Sequence, residues 1–374
     1  MKIEMVDLKN QYAKIQAEIG AALLKTLRDA NFINGPEVVS FTKNLSIYLD
    51  GAHVITCANG TDALQIAMMV LGLEPGDEVI VPSFTYVATA EVIGLLRLKP
   101  IMVDIDPIHF NISRANIEQA IGPKTKAIVP VHLFGQCADM EPILALAKEK
   151  GLYVIEDTAQ AIGSVYTFSD GTQKQAGTMG HIGCTSFFPS KNLGCYGDGG
   201  AIYTHDAVLA ERIKMVANHG QVRKYVHKYI GVNSRLDTIQ AAILDVKLKY
   251  LDQYSASRRA AADRYDKLLS EIEGLQTPVR AMNSTHVFHQ YTMVISNGKR
   301  NALKQHLEVA GIPAMVYYPV PLNEQEAFLN IGAVVGSLNE TERLCDSVLS
   351  LPMHTELTEE QQVFITDRVR SFFK

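Results

Sequence analysis

No stretch of this 374-residue chain is long and apolar enough to cross a bilayer; the longest apolar run, around Ile66 to Leu73, falls far short of a span. The opening segment, Met1-Lys-Ile-Glu-Met-Val-Asp7, lacks the apolar centre of a secretory signal. Cysteine is scarce: Cys57, Cys137, Cys184, Cys195 and Cys345 show neither CxxC spacing nor histidine-rich company. An odd count of that kind argues against a disulfide frame or a metal site and fits reduced thiols in the cytoplasm, where the protein is expected. Positive charge is also in short supply. The net charge is -5, and pairs such as Arg258-Arg259 read as solvated helix faces. Neither nucleic acid nor a membrane surface is therefore an expected partner. A G-x-x-x-x-G-K-[ST] phosphate loop, a dinucleotide glycine fingerprint, repeats and low-complexity segments are all missing.

What is there is an ordinary globular composition, 47% apolar and 20% charged. The length exceeds what one core usually serves, which predicts two domains. From Val54 to Thr204, short Val/Ile-rich runs alternate with helical patterns. The expected strands are Val54–Thr56, Glu78–Val81, Pro100–Val103, Ala127–Val131, Tyr153–Ile155, Ile182–Phe188 and Ala201–Tyr203. Continuous rather than alternating apolar runs predict a sheet buried on both faces, hence an α/β fold with a mostly parallel sheet. After Asn233 the texture changes. Long helices are expected over Leu236–Leu251 and Ala256–Ile272, then a strand Phe288–Ile295, a helix Asn301–Ala310 and a strand Ala314–Tyr318. Helices Glu340–Leu351 and Thr358–Phe373 close the chain. The expected division is a large domain over 1–249 and a smaller α+β domain over 250–374.

Chemistry concentrates in the first part. Lys191 lies in Thr185-Ser-Phe-Phe-Pro-Ser-Lys-Asn-Leu-Gly194, just past a predicted strand and before Gly197-Asp-Gly-Gly200. Glycines there let backbone approach a ligand closely. Upstream, Val154-Ile-Glu-Asp157 delivers a carboxylate to the end of a buried strand. Strand, acid, strand, lysine and glycine loop is the order expected of a site for pyridoxal phosphate, which needs an amine for its aldehyde and an acid for its pyridine nitrogen. A single loop lysine is usually a solvated surface group, and Lys191 by itself would read that way. Cys57-Ala-Asn-Gly-Thr-Asp-Ala63 changes the balance by offering a phosphate cup at a helix N-terminus, with Gly60 for close approach and Thr61 for a hydroxyl. Simple capping by Asn59 or Thr61 is the competing reading. Tyr86, after the strand ending Pro82-Ser-Phe-Thr, could stack on a planar ring, and Gln160 could reach the ring's phenolic oxygen.

Taken together, Cys57-Ala-Asn-Gly-Thr-Asp-Ala-Leu-Gln65, Thr185 to Lys191 and Gly231-Val-Asn-Ser-Arg-Leu-Asp237 resemble the DegT/DnrJ/EryC1/StrS family of PLP-dependent sugar aminotransferases. The likeness runs from Asp7-Leu-Lys-Asn-Gln11 through Gly35-Pro-Glu37 to Ser350-Leu-Pro-Met353. It is nearest to the members that act on UDP-2-acetamido-2-deoxy-3-oxo-glucuronate in bacterial surface-polysaccharide synthesis (lipopolysaccharide O-antigen included). The resemblance implies the fold of aspartate aminotransferase, fold type I, in a homodimer with shared active sites. It implies Lys191 as the Schiff-base lysine, Asp157 as the pyridinium partner, Gln160 at the ring oxygen and Tyr86 stacked on the ring. Gly60, Thr61 and Ser186 would hold the phosphate, with Asn233 reaching in from the second subunit.

The resemblance also implies glutamate as amino donor and a nucleotide-linked keto sugar as acceptor. Arg235 becomes the candidate for a uronate carboxylate through a bidentate pair, and His219 and Tyr318 are further substrate-side candidates. A dTDP-3-keto or UDP-4-keto deoxysugar is the alternative acceptor. A PLP-binding regulator or catalytically silent partner is the alternative of another class, against which stand the retained Lys191 and Asp157 and the lack of a basic helix-turn-helix module. Tyr317-Tyr318-Pro319 stands where many relatives have His-Tyr-Pro, Asn323 where histidine is frequent and Asp198 where glutamate is usual. These departures bear on sugar and nucleotide contacts rather than on the cofactor.

Overall fold

Unbroken Val and Ile runs do become strands here, since a strand covered on both faces has no wet side on which to alternate. In the computed structural model, which describes residues 2–374, eight strands form one sheet. They are β1 (His53–Cys57), β2 (Glu78–Pro82), β3 (Lys99–Val103), β4 (Thr125–Ile128), β5 (Tyr153–Asp157), β8 (Ile182–Ser186), β9 (Gly200–Thr204) and β14 (Ala333–Val334). Hairpins β6–β7 (Val165–Thr167 and Gln173–Gln175) and β10–β11 (Gln221–Arg223 and Val226–His227) lie outside it. The order across the sheet is β1-β9-β8-β5-β4-β2-β3-β14. Pairings are parallel except around β9, which runs antiparallel to β1 and β8.

Helices cover both faces. On one, α3 (Gly60–Val70), α4 (Ala88–Leu95) and α7 (Ala207–Ala217) share a core with the sheet through Ile66, Val92 and Ile213. On the other, α5 (Arg114–Ala120) and α6 (Met140–Lys150) pack through Ile117 and Ile143. Two N-terminal helices that the strand and helix patterns left unassigned, α1 (Leu8–Asp29) and α2 (Pro36–Tyr48), rest on α8 (Thr238–Leu248). Ile15 and Ile19 of α1 meet Ile243 and Val246 there.

A second sheet, β12-β13-β15 (Leu275–Gln276, Tyr291–Ile295, Val348–Leu351), is covered by α9 (Leu251–Leu269), α10 (Arg300–Val309) and α12 (Glu359–Phe373). The expected division at 249/250 falls between α8 and α9. Two segments cross it. Ile3 joins the core of the second sheet, and β14 returns to pair in parallel with Ile101 and Met102 at the edge of the first.

Three elements differ from expectation. Helix α11 (Asn339–Ser347) stops short, and Val348–Leu351 is a fully buried strand instead. Leu351 precedes Pro352, and the residue before proline is pushed out of the helical region. Ala314–Tyr318 forms no strand; only Met315 bridges Ser350. The run Ala127–Val131 leaves the ladder after Ile128, because Pro130 has no N–H to donate, and Val131 rejoins through a bridge to Asp157. No helix among the described residues is long and apolar enough to cross a membrane.

Candidate active site

In an open α/β sheet, ligands bind beyond the carboxyl ends of the parallel strands. β1 hands over to α3 there, β5 ends on Asp157 and β8 ends on Ser186, five residues before Lys191. One cavity of about 850 Å³ is lined by Gly60, Thr61, Tyr86, Asp157, Gln160, Ser186, Lys191 and Tyr318.

Side chains alternate along a strand, so Glu156 and Asp157 face opposite ways. Asp157 is buried; its Oδ2 accepts from Thr89 Oγ1 at 2.8 Å and its Oδ1 from the Ala159 amide at 3.1 Å. Glu156 is sealed on the far side. It accepts from the amides of Gly177 (2.8 Å), Met179 (2.8 Å) and Gly180, and from His132 Nε2 at 2.8 Å. His132 Nδ1 accepts from the Ala138 amide, so its proton sits on Nε2 and points at the carboxylate.

The lysine loop is pinned at both ends. Lys191 N donates to the Phe188 carbonyl and Cys195 N to the Phe187 carbonyl, each at 2.8 Å. Buried Lys247 donates to the Gly194 carbonyl. A Cβ on Gly194 would stand 2.3 Å from the Pro189 oxygen, so only glycine fits there. The Lys191 side chain opens on the cavity with no salt-bridge partner among the described residues. Burial lowers its pKa to about 8, against the opposing pull of the Asp157 charge.

The capping reading of the α3 terminus is seen directly. Asn59 Oδ1 caps the helix by accepting from the Asp62 amide at 2.8 Å. The amides of Gly60 and Thr61, ahead of it in the first turn, have no helical acceptor and remain for a ligand. Gly60 is essential to the shape, since a Cβ there would lie 2.7 Å from that of Ser186. Across the cavity, Tyr86 is 58% exposed, its ring 6.3 Å from that of Tyr318. Gln160 donates to Tyr318 Oη at 3.1 Å and accepts from the Phe134 amide at 2.7 Å.

The remaining expected residues stand outside this cavity wall. Asn233 is exposed and bridges Asn218, and Arg235 is half-buried. His219 is exposed, in a left-handed conformation at φ 58°, with its carbonyl against the His227 ring at 2.9 Å. Ser234, between Asn233 and Arg235, accepts from the Ala58 amide at 3.0 Å and ties that segment to the loop leading into α3.

Sequence reasoning missed Thr89, Asn192 and His289. Thr89 gives no local signal, being one apolar-flanked residue inside a helix. His289, buried in the cavity wall, sits in His286-Val-Phe-His289-Gln290, where two histidines close to a predicted strand were a usable hint.

The family model described as the DegT/DnrJ/EryC1/StrS aminotransferase family matches residues 13–370. A UDP-2-acetamido-2-deoxy-3-oxo-D-glucuronate aminotransferase of Pseudomonas aeruginosa is 48% identical over 95% of this chain and 96% of its own length. A pleiotropic regulatory protein of Geobacillus stearothermophilus is 46% identical, over 100% of this chain and 99% of its own. Among solved structures, DesV of S. venezuelae, in complex with a ketimine intermediate, has a TM-score of 0.95 at 38% identity, covering 100% of this chain and 99% of that one. A Bacillus subtilis protein, ntda, with bound cofactor PMP, has a TM-score of 0.89 at 33% identity over 99% of this chain and 83% of that one. A match of that length, carried by relatives that align almost end to end, means that this chain belongs to the DegT/DnrJ/EryC1/StrS family of PLP-dependent aminotransferases.

Proposed function

We propose that the protein transfers an amino group from glutamate to a nucleotide-linked keto sugar, with UDP-2-acetamido-2-deoxy-3-oxo-glucuronate as the first candidate, for bacterial surface polysaccharide. The observation that carries this reading is the joint placement of Lys191 and Asp157 in one cavity with the Gly60–Thr61–Ser186 cup. That set fits pyridoxal phosphate: two unpaired helix amides and a hydroxyl for an anion, a buried carboxylate for a cationic ring nitrogen, and an amine with lowered pKa. Bound there, the cofactor supplies an aldehyde carbon and an electron-accepting ring.

The rest is the work of the chain. Asp157, kept in place by Thr89 and Ala159, holds the ring nitrogen's proton. Tyr86 covers the ring, and Gln160 stands ready for its phenolic oxygen. Lys191, as a free amine, would take the proton from the donor's Cα and return it to the carbon on the other side of the transferred nitrogen; the acceptor half would run in the opposite sense with the same lysine.

The acceptor carries phosphates and, in the favoured case, a carboxylate, whereas this cavity is lined by Asp62, Asp157 and Asp198 with no arginine and with Lys191 as its one lysine. Further cations must come from outside the protomer. Asn233, Arg235 and His219 adjoin a surface where Tyr225 is 83% and Ile230 89% exposed, as an unpaired dimer face would be. We therefore place them at the partner subunit's cavity, with Arg235 and Tyr318 toward the sugar.

The test is a half-reaction read by the cofactor's colour. Glutamate should bleach the protein, and the 3-oxo-glucuronate sugar should restore the colour after the donor is removed. Restoration by a neutral 4-keto sugar alone would replace the acceptor and keep the chemistry. A regulatory reading, prompted by the name of the Geobacillus relative, predicts no bleaching by glutamate at all.

A further inference from the structure

His289 plays no part in the motifs above, yet its surroundings fix it from several sides. The residue is 6% exposed and lines the same cavity as Lys191. Its Nδ1 lies 3.3 Å from Oδ1 of Asn192, the residue that follows Lys191 in the chain. Asn192 in turn donates its Nδ2 to the Val287 carbonyl at 3.1 Å. A carbonyl only accepts, so this bond settles which end of the amide is oxygen, and oxygen faces the imidazole. His289 must then carry its hydrogen on Nδ1. Nε2 is left as a lone-pair acceptor, with no donor among the described residues.

The backbone beneath is held as firmly. Arg258 Nη1 donates to the carbonyls of Phe288 at 3.0 Å and His289 at 3.4 Å. Phe288 keeps φ at 46°, a conformation a phenylalanine adopts only where its neighbours impose it. Gly135, at φ 109°, comes so close that a Cβ there would stand 2.9 Å from the His289 nitrogen. That shape delivers His289 to the cavity wall. Burial, and after it the positive charges of Lys191 and Arg258, keep the imidazole well below the ordinary histidine range. A ring so weakly basic does not take a proton from Lys191. What it offers is a directed acceptor.

We propose that His289 is a positioning residue for Lys191: during the half-reaction, with the cofactor bound in its amine form, the freed lysine amine donates to Nε2, a bond not made in the structure described above, and is so aimed into the cavity. This rests on Lys191 being the working amine, as argued above.

Two variants separate aim from packing: H289Q keeps an acceptor at about the reach of Nε2, and H289L keeps none. Glutamate first converts the bound cofactor to its amine form, leaving Lys191 free. Reductive methylation by formaldehyde and cyanoborohydride across a pH series, read by mass spectrometry of the Lys191 peptide, then gives the midpoint of that lysine. An accepted hydrogen bond favours the ammonium, so H289L should lower the midpoint by about one pH unit and H289Q should restore it. In H289L, kcat should fall about 10- to 100-fold with the sugar KM changed less than about threefold, the pattern of a misaimed group. Nitrogen NMR of histidine-labelled wild-type protein should show His289 protonated on Nδ1. A folded H289L with wild-type midpoint and kcat overturns the proposal, and so does an Nε2-protonated ring in the wild type. Near-normal turnover in K191A would instead overturn the reading of Lys191, a separate failure.

Discussion

Thr89 donates its hydroxyl to Oδ2 of Asp157 across 2.8 Å, in a place where both side chains are buried. A helix that otherwise serves the core of the sheet thus uses one side chain to orient a carboxylate that lines the cavity. Hydrogen bonds to charged groups contribute about 1.5–3 kcal/mol. T89V keeps the shape and removes the donor. It should weaken cofactor affinity by roughly tenfold or more, measured by titrating the cofactor-free protein and following visible absorbance. Unchanged affinity would mean that the Ala159 amide suffices.

Gly60 makes a separate prediction. Alanine there would press its Cβ to 2.7 Å from that of Ser186, at the point where phosphate should sit. G60A should lose cofactor affinity while costing only about 1–3 kcal/mol of stability through overpacking. Urea unfolding and the same absorbance titration, run side by side, distinguish the two effects.

Lys191 sets a pH signature. Its ordinary value of 10.5 applies to the unfolded chain, and burial brings it to about 8 in the folded one. Between those values the unfolded chain holds more protons, so this group's contribution to stability rises with pH. Below about 8 both states are protonated, and the partly desolvated, half-buried ammonium exerts its full cost. Cofactor-free K191M should therefore melt above cofactor-free wild type at pH 7, with the gap closing as pH climbs from about 8 toward 10.5. A K191M that melts lower at pH 7 would contradict the desolvated placement.

Glu156 and His132 are wholly buried and hold each other at 2.8 Å. His132 carries its proton on Nε2 alone, and a hydrogen bond to a charged group contributes about 1.5–3 kcal/mol. E156Q would turn an amide N–H toward donors that now point at oxygen, so its urea midpoint should drop accordingly. A loss below about 1 kcal/mol would show that the three backbone amides, and not the histidine, carry the arrangement.

The shared site can be tested by mixing. K191A and N233A should each be nearly inactive as homodimers, by the roles proposed for them. In a mixed dimer, one of the two cavities would combine an intact lysine with an intact partner loop. Activity should reappear on subunit exchange and track the fraction of mixed dimers. No recovery, with exchange verified by mass, would place Asn233 at its own protomer's cavity or outside the site.

Much of the architecture is legible in the chain itself. Two-sided burial writes a strand as an unbroken Val/Ile run, and the residues needed at strand ends stand out because acids, lysines and glycines are rare inside such runs. Asp157 and Lys191, which the structure brings to one cavity, stand out that way. Val348–Leu351 was misread because a short apolar run has no period to separate helix from strand; Pro352 was the overlooked signal. Thr89 and His289 were invisible for a different reason. Their significance lies in what approaches them from far along the chain, Asp157 in one case and Asn192 with Gly135 in the other.

One consequence concerns synthesis. β14 supplies the outermost strand beside β3, and its two residues come more than two hundred positions after Ile101 and Met102, with which they pair. A nascent chain that has emerged only as far as α8 must hold the main sheet with one margin bare, an open invitation to other strands. We expect such truncated chains to self-associate, and that tendency to vanish once residues 333–334 are included; sedimentation of chains ended before and after that point would show it. The last quarter of the polypeptide is thus also the selvedge that keeps the first fabric from unravelling into its neighbours.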